Sequence, residues 1–149
     1  MLITKNKKAF FDYEILKTWE AWIELKWYEV KSIRVWQVNL KWSYISLIWW
    51  FIKAKNIHIS IWKALQNKSS IDPWRDRNIF LHKKTILYLK SKQKEKWLSI
   101  IPLELYFKWS LIKLNVGLCK WRKKFDKKNL LKERSLKKEA DILASKLLK

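Results

Sequence analysis

The sequence predicts a mainly β fold: a small closed antiparallel barrel with short helices and a basic C-terminal tail that is helical or disordered. Three observations predict it. Ile101, Leu103, Leu105 and Phe107 alternate strictly with their neighbours, as do Ile112, Leu114, Val116 and Leu118. That period of two is the signature of half-buried strands. Ser43 to Ile48 and Phe51 to Ile61 read as a hairpin turning at Trp49-Trp50. From Lys120 the chain becomes dense in charge, and Leu136, Ala140, Leu143 and Leu147 recur at the spacing of an amphipathic helix.

In chain order, residues 1–8 read as a polar, basic arm. Phe10, Phe11, Tyr13 and Ile15 open one or two strands, which end where Ile23 and Leu25 alternate with Glu24 and Lys26. Leu25 to Leu40 is the central stretch. Its spacing from Glu29 to Val35 suits a helical turn with Val30, Ile33 and Val35 inward and with Glu29, Lys31 and Arg34 near one surface. The hairpin follows, then a polar loop over residues 63–78 that holds Pro73, Lys63, Lys68, Arg75 and Arg77. Ile79-Phe80-Leu81 is a short apolar run. Lys83 to Lys96 reads as a basic helix with Ile86, Leu87 and Leu89 inside. The two confident strands come next, joined near residues 108–111. No internal repeat is evident. Short strands with one or two helices suit the oligonucleotide-binding barrel best among small barrels. Residues 1–122 are expected to form it and residues 123–149 the tail. The 136–147 stripe either packs on the parent domain or folds when an anionic partner screens its cations.

Charge narrows the partners. The 149 residues carry 34 Lys and Arg against 13 Asp and Glu, a net charge of +21. Such an excess opposes compaction unless a polyanion neutralises it. Nucleic acid is the first expectation and an anionic membrane surface the second. The longest apolar run, near Ile45 to Ile52, is about half the roughly 20 residues of a membrane helix, so no membrane-spanning helix is expected and a membrane surface stays behind nucleic acid. The basic N-terminal residues lack the apolar core of a signal peptide. Cys119 has no cysteine partner in the chain; it reads as a buried strand residue in a reducing cytoplasm. His58 and His82 are distant in sequence, and no metal-ligand spacing, phosphate loop or nucleophile elbow appears. The chain therefore reads as no enzyme, with no metal and no cofactor. A binder of structured RNA competes with a general RNA chaperone and with a membrane-surface protein using the helical stripe.

Composition holds one anomaly. There is 1 Gly and there are 12 Trp, whereas average glycine usage of about 7% predicts roughly ten glycines. A β-rich chain needs glycine wherever a tight turn takes φ > 0.

Several long segments, in order, carry a resemblance. They are Asn6-Lys7-Lys8-Ala9, Asp12 to Leu16, and TWEAWIELKWYEVKSIRVWQVNLKWSY over residues 18–44. Asp72 to Lys83 reads DPWRDRNIFLHK, Lys94 to Lys108 reads KEKWLSIIPLELYFK, and Val116 to Lys128 reads VGLCKWRKKFDKK. With these the chain resembles the SmpB family of SsrA-binding proteins along almost its whole length. Trp22, Trp27, Trp36, Trp50, Trp97 and Trp121 stand where that family has glycine, and Trp42, Trp49 and Trp109 lie at turn-like positions. Trp19 and Trp62 match aromatic positions. Such a pattern results when UGA codons that a cell reads as glycine are written as tryptophan.

The resemblance implies a cytoplasmic, monomeric, non-catalytic protein. Its partners would be transfer-messenger RNA and the ribosome's decoding centre and message channel, with no membrane among them. The barrel would grip the RNA near its elbow through phosphate and sugar contacts, with Lys7, Lys8, Lys31, Arg34, Lys83, Lys120, Arg122 and Lys123 supplying charge. Glu29 would hold a cation, accept from a ribose hydroxyl, or serve an ion pair within the protein. Asn39 would contact RNA or, as its type favours, hold a local turn. His82 would meet RNA or simply end a strand. In the tail, Asp126, Lys127 and Lys128 match the family's DKR, with lysine in place of the planar arginine.

Overall fold

The two strands with the clearest alternation form the longest hairpin of the fold. β8 (Leu98–Lys108) and β9 (Leu111–Trp121) pair antiparallel from Lys108↔Leu111 to Leu98↔Lys120. β2 (Tyr13–Ile23) runs along the other side of β9, from Tyr13↔Trp121 to Trp22↔Lys113. The computed structural model describes residues 1–65 and 68–147. Gln66 and Asn67 of the polar loop lie outside them.

The remaining strands extend this centre to both sides. β1 (Leu2–Lys5) pairs with β8. β7 (Arg77–Phe80) joins β2 through Trp22↔Phe80 and joins β5 (Phe51–Lys55) through Ile52↔Ile79. β4 (Tyr44–Ile48) closes the hairpin with β5. The order is β1-β8-β9-β2-β7-β5-β4, one large antiparallel sheet. β3 (Val38–Asn39) and β6 (His58–Ile59) make a separate two-stranded sheet. The expected segment from Phe51 to Ile61 is thus two strands, split at Asn56, whose φ is 59°.

The sheet is mainly β as expected but open, which corrects the expectation of a closed barrel. β4 comes close to β8 without pairing to it. The free side of β8 is already engaged. Asn6 donates its backbone N–H to Leu103 O (2.7 Å) and its side-chain amide to Pro102 O (3.0 Å), and β1 takes Glu104 to Tyr106. Pro102 itself has no N–H for a closing strand. The gap between β4 and β8 is a cavity of about 410 Å³, lined in part by Tyr44, Ile45, Leu98 and Ile100.

Asn6 also shows why the N-terminal arm is structured. Its Oδ1 accepts from Ala9 N at 3.1 Å and caps α1 (Lys7–Asp12), a stabilising N-terminal device. Residues 1–8, read as an arm, therefore form β1 and the start of α1, and Phe10 and Phe11 belong to α1 rather than to a strand. α1 covers a small second core of Ala9, Ile101, Leu103 and Cys119. A bulge between Pro102 and Glu104 shifts the pleat of β8. Ile101 and Leu103 consequently face α1, while Leu105 and Phe107 face the main core with Leu114, Val116 and Leu118. Strict alternation in sequence does not mean one face once a bulge intervenes. Gly117 pairs with Ile101 and lies under the Leu103 side chain, where a Cβ would come 2.6 Å from Leu103 Cδ1.

Three more helices complete the fold. α2 (Trp27–Arg34) spans the expected helical turn. It buries Ile33 and half-buries Val30, but leaves Val35 exposed beyond its end. α3 (Lys83–Lys92) is shorter than the 83–96 expected; Leu89 is buried, Ile86 packs on the core and Leu87 is exposed. α4 (Lys124–Leu147) is one continuous helix of 24 residues. Its apolar positions Leu136, Ala140 and Leu143 are all exposed, so these three do not pack on the domain; the Leu147 side chain lies outside what the structure describes.

Candidate nucleic-acid interface

α2 is fixed by its own acid. Glu29, at the third helical position, accepts from the Lys26 backbone N–H at 2.8 Å, satisfying one of the donors a helix start leaves open. The same carboxylate is gripped by two arginines from the loop before and start of β7. Arg75 reaches Oε2 at 2.7 Å through Nη2, and Arg77 reaches Oε1 at 2.9 Å through Nε. Arg77 is fully buried; it also donates to Ile57 O (2.6 Å) and Pro73 O (3.1 Å). Burial pulls the Glu29 carboxyl up, but hydrogen bonds from Arg75 and Lys26 and the charge of Arg77 outweigh it and leave it below the usual range. Glu29 is therefore not on one surface with Lys31 and Arg34, as the sequence reading had it. It is buried, and those two cations are exposed on the outer side of α2.

A second cluster gathers around α1. Lys7, Lys8 and Asn39 share a recess of about 280 Å³ with Lys5 and Lys41. Asn39 Oδ1 accepts from Lys41 N at 2.8 Å, the local turn its type favours. Lys8 pairs with Asp12 at 3.0 Å, and Lys127 of α4 pairs with the other Asp12 oxygen at 2.9 Å. Burial raises Asp12, yet the hydrogen bonds from Lys127 and Lys8 prevail and hold it below the ordinary carboxylate range. Arg122 donates to Tyr13 O at 3.0 Å, and Arg134 lies 5.9 Å over Phe11. The root of α4 is thus tied to α1 and β2. Lys120, Lys123, Asp126 and Lys128 are exposed around it.

His82 and Lys83 lie elsewhere. His82 precedes α3, is exposed, and lines a recess with Trp22, Phe80 and Lys113. Trp22 and Tyr13 stand at opposite ends of β2, roughly 30 Å apart at about 3.3 Å per residue. The structure brings Lys7, Lys8, Asn39, Arg122 and Lys127 to the Tyr13 end and sets His82 and Lys83 at the other. Beside them, Glu20 receives Tyr106 Oη (2.7 Å), Lys108 and Lys113, which hold its carboxyl down to about 2.

Several residues of these clusters were missed as site members from sequence, Asp12 and Glu20 among them. Lys5 and Lys41 were visible only as two cations among 34. Arg75 and Arg77 were read as loop cations, although their alternation, with Asp76 between, already put both on one side of an extended chain. Cys119 is fully buried in β9, and burial pushes its thiol up to about 12. Among the described residues, no group of three or more His, Cys, Asp or Glu is placed to hold a metal ion, and no helix is long and apolar enough to cross a membrane.

The profile of the SmpB protein family matches residues 3–146. The chain belongs to the SmpB family. An SsrA-binding protein of Prochlorococcus marinus is 45% identical over 137 residues, covering 92% of this chain and 78% of that one. One from Lactobacillus acidophilus is 41% identical, covering 93% and 91%, and one from Carboxydothermus hydrogenoformans is 39% identical, covering 94% and 93%. A solved chain described as "tmRNA-SmpB: a journey to the center of the bacterial ribosome" superposes with a TM-score of 0.68 at 34% identity, over 81% of this chain and 85% of that one. The SmpB match runs through α1, the Glu29 network and most of α4, so the clusters described above lie within the part of the chain that is similar to this family.

Proposed function

We propose that this chain binds transfer-messenger RNA in the cytoplasm and delivers it to stalled ribosomes, where the nascent chain is tagged and the ribosome released. It does so as a binding protein, not as a catalyst. The observation that carries the reading is the SmpB match over residues 3–146 on a chain of net charge +21. Membership names the RNA, and the charge supplies the physics by which a folded polyanion is held.

The sheet body acts as the RNA grip. Lys31 and Arg34 project from α2, whose orientation Glu29 fixes through Arg75 and Arg77. In this reading Glu29 acts through these arginines rather than by touching a ribose. Lys7, Lys8, Lys120, Arg122 and Lys123 add phosphate contacts around the α1 end, with Asn39 shaping the turn beside them. His82 and Lys83 form a separate contact at the far end of β2. α4, about 36 Å long at 1.5 Å per residue, is the limb that enters the message channel, with Asp126, Lys127 and Lys128 at its root facing the decoding centre.

The test is a competition titration at matched salt. Labelled transfer-messenger RNA is challenged with unlabelled transfer-messenger RNA, an unrelated structured RNA and anionic vesicles. The expected result is selective displacement by the first, with affinity falling linearly on a log–log plot against salt. Equal displacement by every RNA would instead support a general chaperone, and displacement by vesicles a membrane-surface protein.

A further inference from the structure

Among the described residues, five non-glycine residues have left-handed backbones, and four of them are tryptophans. Trp36 has φ 62°, Trp42 65°, Trp49 57° and Trp109 59°; the fifth is Asn56 at 59°. Asparagine tolerates this region because its short amide bonds locally, whereas a bulky side chain there is an outlier.

Each of the four falls where a turn motif calls for glycine. Trp36 follows α2: its N–H bonds Ile33 O (3.0 Å) and the Gln37 N–H bonds Ser32 O (3.0 Å). Those paired bonds are the Schellman ending of a helix, and the left-handed residue in it is usually glycine. Trp42 is the third residue of a turn closed by Ser43 N to Leu40 O at 3.1 Å; positive φ at that place defines the type II turn. Trp49 and Trp109 each open a two-residue hairpin loop, between Ile48↔Phe51 and Lys108↔Leu111. Positive φ at the first loop residue is the glycine position of the favoured hairpin turns.

The indoles give no compensating burial. Trp36, Trp42, Trp49 and Trp109 are 52%, 64%, 75% and 93% exposed. Trp22, Trp27, Trp50, Trp97 and Trp121 are exposed as well. Trp19 behaves differently, half-buried against the core and 5.7 Å from the Tyr88 ring. Trp62 is likewise half-buried.

We propose that the protein made by its own cell carries glycine at residues 36, 42, 49 and 109, and by the same origin at 22, 27, 50, 97 and 121, because the cell reads UGA as glycine. Nine indoles then leave the surface. Lys8 and Lys41 lose the Trp42 ring, Lys113 loses Trp22 and Lys127 loses Trp121. Lys8 and Lys127 keep Asp12 and Lys113 keeps Glu20, so Lys41 is the ammonium group most opened to phosphate, a consequence that rests on the proposed function, as the substitution itself does not.

The test is tandem mass spectrometry of the protein isolated from the cells that encode it, together with the codons of its gene. Peptides covering positions 36, 42, 49 and 109 are expected to carry glycine at UGA codons, while Trp19 and Trp62 remain tryptophan at UGG. Tryptophan in those four peptides, or UGG codons there, overturns the proposal. A second measurement needs no native cells. In the recombinant chain as written, Trp36→Gly and Trp109→Gly are each expected to raise Tm by about 2–4 °C as left-handed strain is relieved. An unchanged or lower Tm at both sites overturns the claim that the backbone demands glycine. Neither readout uses RNA, so failure of the RNA-binding reading leaves this one standing.

Discussion

Arg77 on β7 lays its guanidinium Nε against Glu29 Oε1 of α2 at 2.9 Å, across 48 residues of sequence, with both side chains withdrawn from water. A charge so buried is tolerated only while its partner is present. Glu29→Gln keeps the shape and removes the charge, so Arg77 stays buried without a counter-ion. The expected loss is about 3–5 kcal/mol, read as a lower denaturation midpoint at constant slope. Replacing Glu29 and Arg77 together, by Gln and Met, should cost less than the sum of the single changes. A midpoint unmoved by Glu29→Gln would show that the pair contributes nothing.

Acid should loosen the root of α4. Asp12 has its folded-state pKa below the unfolded value because Lys127 and Lys8 hold it charged against the cost of burial. A depressed carboxylate contributes stability that is fully present above its unfolded pKa, about 4, and is lost as pH falls through the folded value. Tm should therefore decline as pH is lowered from about 5. Asp12→Asn should start from a lower Tm at neutral pH and decline less steeply. Parallel curves for the two proteins would remove Asp12 from the acid response.

Cys119 offers a clean probe of the α1 core. It is fully buried, and its thiol is pushed up to about 12 by that burial. Only the thiolate reacts readily. A thiol reagent at pH 8 should leave the folded protein unmodified and label it at the unfolding rate once denaturant is added. Fast labelling in native buffer would mean that α1 does not cover β9.

Legibility followed the range of the interactions. The β8 and β9 alternation, the β4–β5 hairpin and the α2 turn are local patterns, and each was readable from its own residues. The bulge at Pro102 was marked only by the proline itself, a residue that edges and bulges tolerate, while the unbroken alternation from Ile101 to Phe107 concealed that the pleat shifts there. α1 was lost for a related reason. Six residues, KKAFFD, carry too short a period to read, and what holds them is Asn6 bonded to Pro102 and Leu103 on β8. Closure failed on the same contacts, which use the side of β8 a barrel needs. At the interface, residue type identified the cations, while the burial of Glu29 depended on partners 46 and 48 residues away.

Lys31 and Arg34 should matter to RNA and not to the fold. Both are exposed and at the end of α2, where basic residues suit the helix dipole. Lys31→Glu with Arg34→Glu reverses two charges in that last turn. A modest stability loss, about 1 kcal/mol, is expected from the dipole alone. RNA affinity should fall far more, and the salt slope should become shallower by about 2 for two lost phosphate contacts. Unchanged affinity at low salt would take α2 out of the interface.

Removing α4 separates the two tasks assigned to the chain. Its exposed apolar residues Leu136 and Leu143 make no contribution to the core; of its ties to the body, Lys127 to Asp12 sits at its root, while the weaker contact of Arg134 over Phe11 lies further along and is lost on truncation. A chain ending at Lys128 keeps the Asp12–Lys127 pair and the Lys5, Lys7, Lys8 and Lys41 recess. It should melt within a few degrees of the full protein and bind transfer-messenger RNA with an affinity reduced only by the general charge it has shed. Tagging on stalled ribosomes in a reconstituted translation system should be lost if α4 is the limb proposed to enter the message channel. Retained tagging would show that α4 is dispensable there, and equal loss of RNA binding would show that the helix belongs to the grip rather than to the ribosome.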